Sequence, residues 1–180
     1  MTHPARPASN SPAPLTPLRI ERRSPMLLLG YQGSFTGETM HQIPELWGRL
    51  APQFGRIPGE IEGVAYGVCL RPAPGANGIE YLAAVEVLDL EQAPAEMQRL
   101  SLPALTYAVF PHHGHVSTLS HTIDAIQTTW LQQPGGGTYS NTPDAPAFFE
   151  RYGPAYDPVA GKGDVEIWFP IEDPAHTTPR

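Results

Sequence analysis

From Leu18 to Ile171 the chain alternates between stretches with apolar side chains at every second position and stretches with apolar side chains at helical spacing. LRIERRSPMLLLGYQGSF (18–35) reads as one extended segment bent at Pro25, with β-suited apolar residues on either side of the proline. In ETMHQIPELWGRLAPQF (38–54), Ile43, Leu46, Trp47, Leu50 and Phe54 follow one another at offsets of 3, 4, 7 and 11, which is one helical stripe. Proline is tolerated in a first helical turn and not in the interior, so the regular helix begins near Gln42–Pro44. GVAYGVCLR (63–71) and IEYLAAVEVL (79–88) read as two strands joined by the turn chemistry of PAPGANG (72–78), making a hairpin.

The same order then recurs. MQRLSLPALTYAVFPHHG (97–114) is extended. HVSTLSHTIDAIQTTWL (115–131) sets Leu119, Ile123, Ile126 and Trp130 on one helical face, and QQPGGGTYSNTPD (132–144) is a loop. PAFFERY (146–152) and DVEIWFPI (164–171) form a closing hairpin across a Gly/Pro turn. Overlaying GIEYLAAV (78–85) on DVEIWFPI sets Glu80 above Glu166 and Leu82 above Trp168. The chain therefore reads as tandem β-α-β-β units over 18–90 and 97–172. Each is too small for its own core, so the two should share one continuous sheet. The predicted fold is α+β: one largely antiparallel concave sheet with two helices on one face, its other face either covered or forming a groove between the halves. Residues 1–17, rich in Pro, Ala and Ser, are expected to be a disordered tail, and 173–180 a C-terminal tail.

Composition narrows the function. At 180 residues with 41% hydrophobic residues the chain can bury a real core. A formal net charge of −7 disfavours direct nucleic-acid binding, which needs a basic face for the phosphates. The single cysteine, Cys69, lies within the apolar run VAYGVCL and reads as a buried strand thiol. No window reaches the length of a membrane span, and the opening MTHPARPASNSPAPLTP lacks the apolar core of a secretory signal. A cytoplasmic location and no membrane partner are the resulting expectations.

The tandem order, the run TYAVFPHHGHVSTLSHTIDAIQTTWL, the strand FFERY and the ending DVEIWFPI together resemble the GyrI-like small-molecule-binding domain, also called the bacterial transcription activator effector-binding domain, over nearly all of 18–172. That resemblance implies paired units around an aromatic-lined cavity with a glutamate at its floor, where several members bind bulky, often cationic, hydrophobic compounds. The Phe-Glu-x-Tyr pattern puts Glu150 at that position. The accompanying pocket residues follow from phase alone: Tyr66, Leu82, Tyr107, Trp130 and Trp168, beside Phe148 and Tyr152 on the glutamate's own strand. Members often carry a DNA-binding head. Only a 17-residue tail precedes the resemblance here, so a stand-alone form is expected.

Glu150 is the leading candidate. A carboxylate beneath rings is desolvated, and an incoming aromatic cation would compensate it through charge and cation–π attraction. Glu166 is the second candidate, facing a groove with Trp168 if Val165, Ile167 and Phe169 face the helices. Two carboxylates on one groove would suit hydrolysis, one of them activating water. His112, His113 and His115 crowd together without the convergent geometry of a metal site, so no metal or other cofactor is expected. PGGG (134–137) and GKG (161–163) lack the context of phosphate loops and read as turns; Ser117 and Thr118 read as helix caps.

Three functions follow. The first is a binding protein for a small hydrophobic or cationic molecule, through Glu150, Tyr66, Leu82, Tyr107, Phe148, Tyr152, Glu166 and Trp168. The second is a hydrolase of strained electrophilic toxic compounds, with Glu150 and Glu166 as its catalytic pair; some relatives of this fold resemble such enzymes. The third, a protein-interaction role like that of gyrase-inhibiting members, wants a contiguous acidic patch, and Asp and Glu are scattered along this chain.

Overall fold

A computed structural model describes residues 15–72, 75 and 77–174. The elements are β1 (Arg19–Arg23), β2 (Met26–Phe35), α1 (Ile43–Leu50), β3 (Glu60–Leu70), β4 (Ile79–Val87), β5 (Gln98–Leu102), β6 (Leu105–Pro111), α2 (Leu119–Thr128), β7 (Phe148–Tyr152) and β8 (Val165–Ile171). The eight strands form one sheet in the order β1-β6-β8-β7-β3-β4-β2-β5. Every neighbouring pair is antiparallel. The α+β reading thus holds: β2-α1-β3-β4 and β6-α2-β7-β8 are equivalent units, meeting where β3 pairs with β7.

Two extended segments break where the sequence pattern runs on. Residues 18–35 divide at Ser24–Pro25 into β1 and β2, and 97–114 divide at Pro103–Ala104 into β5 and β6. Proline cannot donate to a ladder, so each proline ends one pairing and frees the chain to begin another. The consequence is an exchange. β1 pairs with β6 of the second unit, and β5 pairs with β2 of the first. Each unit lends its leading strand to the far edge of the other.

Both helices lie on one face. Leu46 and Leu50 of α1 pack in one cluster with Leu29, Tyr31, Tyr81, Ala83 and Val85. Leu119 and Ile126 of α2 pack with Ala108, Phe110, Ile167 and Phe169. Ala83 is opposite Gly67, Gly67 opposite Glu150, and Glu150 opposite Ile167, so one cross-strand row links the two clusters. Pro44 stands in the first turn of α1, as its lost N–H requires, and α1 passes into a short 3-10 turn before Phe54. Burying Leu50 fully contributes about 1.5–3 kcal/mol, and Leu50→Ala would lose about 2–5 kcal/mol.

Among the described residues no further element covers the opposite face, yet that face is not open. Met26 and Leu28 from one end of the sheet share a single buried cluster with Leu105, Tyr107 and Trp168 near the other end. The sheet curls onto itself, as the two-residue connectors between strands at its opposite sides demand, and its inner face is filled by side chains.

Of the expected tails, 1–14 and 175–180 lie outside the described residues, as do Ala73, Pro74 and Ala76 of the 72–78 turn. Leu15 is held in the fold: it packs against the α2 cluster, and its carbonyl accepts from Gln133 Nε2 at 3.0 Å.

Candidate functional site

Glu150 occupies the middle of the helix-bearing face, where the two units meet. Its cross-strand row runs Tyr31, Ala83, Gly67, Glu150, Ile167, Phe110. The two neighbours on its β3 side are the smallest in that row, which leaves a hollow. Tyr81 fills part of it by leaning over Gly67, and a Cβ at Gly67 would overlap the Tyr81 hydroxyl and crowd the glutamate. Glycine is needed here for closeness of approach rather than for backbone freedom.

Two phenols converge on one carboxylate oxygen. Tyr81 Oη donates to Glu150 Oε2 at 2.7 Å, and Tyr152 Oη donates to the same oxygen at 2.8 Å. No described residue donates to Oε1. Glu150 is only 7% exposed, and none of the causes acting on its acidity is a cation. Burial raises its pKa above the ordinary carboxylate value, and the two phenolic hydrogen bonds pull back against that rise. Burial followed by the Glu150 charge pushes Tyr81 and Tyr152 well above the ordinary phenol range.

Aromatic rings build the walls. Trp47 of α1 meets Tyr152 edge-on at 5.0 Å, and Tyr156 of the β7–β8 loop also meets Tyr152 edge-on, at 4.9 Å. Phe148 stacks on Phe169 at 5.2 Å. Trp47, Phe148, Tyr152 and Tyr156 are each half-buried, so they border the accessible side of the glutamate. Cys69 lies on the same face of β3 as Gly67; burial first, and the Glu150 charge second, push its thiol up to about 12, so it is a protonated side chain of the floor.

Glu166 belongs elsewhere. It is opposite Arg151, one step out of phase with the Glu150 row, and therefore projects from the other face. There Arg19 grips it through both oxygens at 2.6 and 3.1 Å, Trp168 Nε1 donates to it at 3.1 Å, and Arg151 stands 3.6 Å away. Burial alone would raise its pKa, but the Arg19 hydrogen bonds and charge, with Trp168 and Arg151, outweigh it and hold the carboxyl below its ordinary value. One groove holding both carboxylates is thus not what the strand register makes.

Tyr66, Leu82, Tyr107 and Trp168 likewise fill the inner core with Phe149, on the face opposite to Glu150. Alternation sends them there, because Leu82, Val68, Phe149 and Trp168 form the adjacent row. Trp130 packs under α2 against Phe110. Of the sequence candidates, Phe148, Glu150 and Tyr152 are brought together. Trp47, Gly67, Tyr81 and Tyr156 join them, although the sequence pattern does not single them out. A signal for Tyr81 does exist: in the overlay of 78–85 on 164–171 it falls on Ile167, the cross-strand partner of Glu150.

The histidines have local tasks. Buried His112 contacts the Thr122 hydroxyl at 3.0 Å and the His115 carbonyl at 3.1 Å; the His115 ring, rather than Ser117 or Thr118, accepts the Ser117 N–H before α2. Among the described residues no three His, Cys, Asp or Glu side chains gather as a metal site, and no helix is long and apolar enough to cross a membrane. Two surface concavities, of about 470 and 370 Å³, lie around the end of β8, and neither is lined by Glu150.

Comparison with known proteins agrees with this architecture. The transcriptional regulator BrlR of Pseudomonas aeruginosa is 31% identical over 157 residues, which is 85% of this chain and 54% of BrlR; the chain spans about half the length of that relative. A structure of SAV2435 bound to tetraphenylphosphonium superposes with a TM-score of 0.68 at 21% identity, covering 88% of this chain and 96% of that one. A bacterial transcription regulation protein from Staphylococcus aureus MU50 gives 0.64 at 21% identity, covering 86% and 97%. At such identities the two structures show a shared fold. The GyrI-like small molecule binding domain matches residues 16–172, and the chain belongs to the GyrI-like family.

Proposed function

We propose that this protein binds hydrophobic, positively charged small molecules in the cleft floored by Glu150 and walled by Trp47, Phe148, Tyr152 and Tyr156. The observation that carries this reading is a buried carboxylate with two phenols on one oxygen and, among the described residues, no donor on the other and no cation acting on its acidity. An unpaired buried anion is strongly disfavoured unless something positive or hydrogen-bonding joins it. The rings around it are the partners an organic cation prefers. Tetraphenylphosphonium, the compound bound to SAV2435, is of this chemical kind and supports the same reading here.

Hydrolysis by a pair of glutamates loses its support, because Glu166 is on the other face and engaged by Arg19. Titration of aromatic cations and electrophilic drugs against tryptophan fluorescence, for the wild type and Glu150→Gln, tests the proposal when each compound is recovered for mass analysis. Quenching that weakens in the variant, with compounds recovered intact, is the expected result. Equal affinity in both proteins removes the charge anchor. A product that has gained water, made by the wild type alone, replaces binding with hydrolysis.

A further inference from the structure

The two oxygens of Glu150 are not equivalent. Oε2 carries both phenolic hydrogen bonds, at 2.7 and 2.8 Å, from Tyr81 on β4 and Tyr152 on β7. Oε1 receives no donor from any described residue, yet it is not among the buried polar atoms left without a partner; Tyr107 Oη alone holds that position among the described residues. Oε1 therefore faces the accessible side of the cleft. The rings about Tyr152, those of Trp47 and Tyr156, have faces that attract positive charge, and neither donates to Oε1. Arg151, next in sequence, points through the sheet toward Glu166 and Asp164.

A cation entering this cleft can satisfy two separate needs. Its charge satisfies the rings and the carboxylate as a whole. Only an N–H can satisfy the lone pairs of Oε1 once the ligand has displaced water from it. A quaternary ammonium or phosphonium ion brings charge alone and leaves Oε1 dehydrated and unpaired. A protonated tertiary amine brings the same charge and one N–H for one open oxygen.

We infer that the cleft discriminates among organic cations by hydrogen bonding, preferring protonated amines that carry an N–H to permanently charged cations of the same skeleton, with Glu150 Oε1 as the reader. This rests on the reading of the cleft as a cation site and specifies which cations it takes. The clamp explains how the preference is enforced: with Oε2 tied from two strands, the carboxylate cannot rotate to offer a different oxygen.

The test is a matched pair measured by calorimetry on the full chain: an aryl-alkyl dimethylamine, protonated at neutral pH, and its N-methylated trimethylammonium salt. A hydrogen bond to a charged group predicts that the amine binds the wild type roughly tenfold or more tightly than the quaternary ion. In Glu150→Gln that ratio should shrink to within about threefold, as hydrogen bonds between neutral and charged partners weaken. If the quaternary ion binds the wild type as tightly as the amine, and both weaken in Glu150→Gln, cation binding stands and selection by the N–H is overturned. If neither compound binds, or both bind the two proteins equally, the cation site itself falls and the selection with it. The comparison within the wild type decides the question even should the variant fold poorly.

Discussion

Glu150 and Glu166 stand on neighbouring strands and point to opposite faces of the sheet, Glu150 across from Ile167 and Glu166 across from Arg151. Their surroundings are as different as their directions: two phenols for the first, two guanidinium groups and an indole for the second. One carboxylate keeps an oxygen that no described residue donates to, and the other is engaged on both oxygens.

Their substitutions should therefore separate cleanly. Glu150→Gln is expected to weaken binding of aromatic cations about tenfold or more, the worth of a charge-assisted contact. Glu166→Gln should leave that affinity within about twofold and instead lower stability by about 1 kcal/mol, because Arg19 keeps Glu21 at 2.7 Å as a second partner. Parallel ligand titrations and urea unfolding check both. Equal loss of affinity in the two variants would mean that the faces communicate.

The phenols should matter through the glutamate. Tyr81→Phe and Tyr152→Phe each remove one donor that favours the charged carboxylate, so each should raise the Glu150 pKa further and weaken cation binding at neutral pH by about three- to tenfold. Tyr152→Phe keeps the ring against Trp47 and Tyr156, so aromatic packing is held constant. Affinity measured from pH 5 to pH 9 distinguishes this from simple loss of contact: in either variant the rise of affinity with pH should shift to higher pH.

What the sequence makes legible is periodicity, and what it conceals is register. The tandem order, both helices and the pairing of Glu150 with Phe148 and Tyr152 follow from alternation within single segments. Beyond the two hairpins β3-β4 and β7-β8, which strand lies beside which does not. Pro25 and Pro103 are visible as breakers, but only the assembled sheet reveals that each releases a strand to the other unit. The same blind spot groups Trp168 and Tyr66 with Glu150: a ring next to a glutamate in the chain can stand behind it in the sheet. Trp47 reads as one more residue of a helical stripe, and it meets Tyr152 because α1 packs over β4 beside the unit boundary.

Closeness at Gly67 yields a packing prediction. Gly67→Ala would drive a methyl group into the Tyr81 hydroxyl and the Glu150 carboxylate. Neither can move away easily, since Tyr81 is 4% exposed and both are hydrogen-bonded. Overpacking of this kind destabilises by about 1–3 kcal/mol. Thermal unfolding should show it. Ligand affinity should fall as well, because displacing Tyr81 unclamps the glutamate.

The three tryptophans allow an optical test of where ligands enter. Trp168 is in the inner core and Trp130 beneath α2, while half-buried Trp47 touches Tyr152. Trp47→Phe is expected to abolish most ligand-induced quenching while leaving an aromatic wall, so calorimetric affinity should change by less than about fivefold. Quenching that persists in the variant would move the ligand to another part of the molecule.

The acidity of Glu150 gives the last prediction its sign. Its folded pKa is raised, through burial opposed by the two phenols, so the folded state holds this proton more tightly than the unfolded chain does. The stability this supplies is fully present below the unfolded carboxylate value of about 4.3 and is lost as pH rises through the folded value. Glu166 runs oppositely: its lowered pKa contributes stability above the ordinary value, lost as pH falls through its folded value. Glu150→Gln removes only the first dependence. Unfolding free energies of wild type and variant should therefore diverge in the variant's favour as pH rises from about 4 and run parallel once Glu150 is ionised. At neutral pH the variant should be the more stable, by about 0.5–2 kcal/mol, the range common for single stabilising substitutions. Saturating the wild type with a tight cation should close that gap, because the ligand stabilises the ionised folded state by mass action. Parallel curves from about pH 4 upward would mean that Glu150 is already ionised in the folded protein there, and that the two phenols suffice to hold its charge.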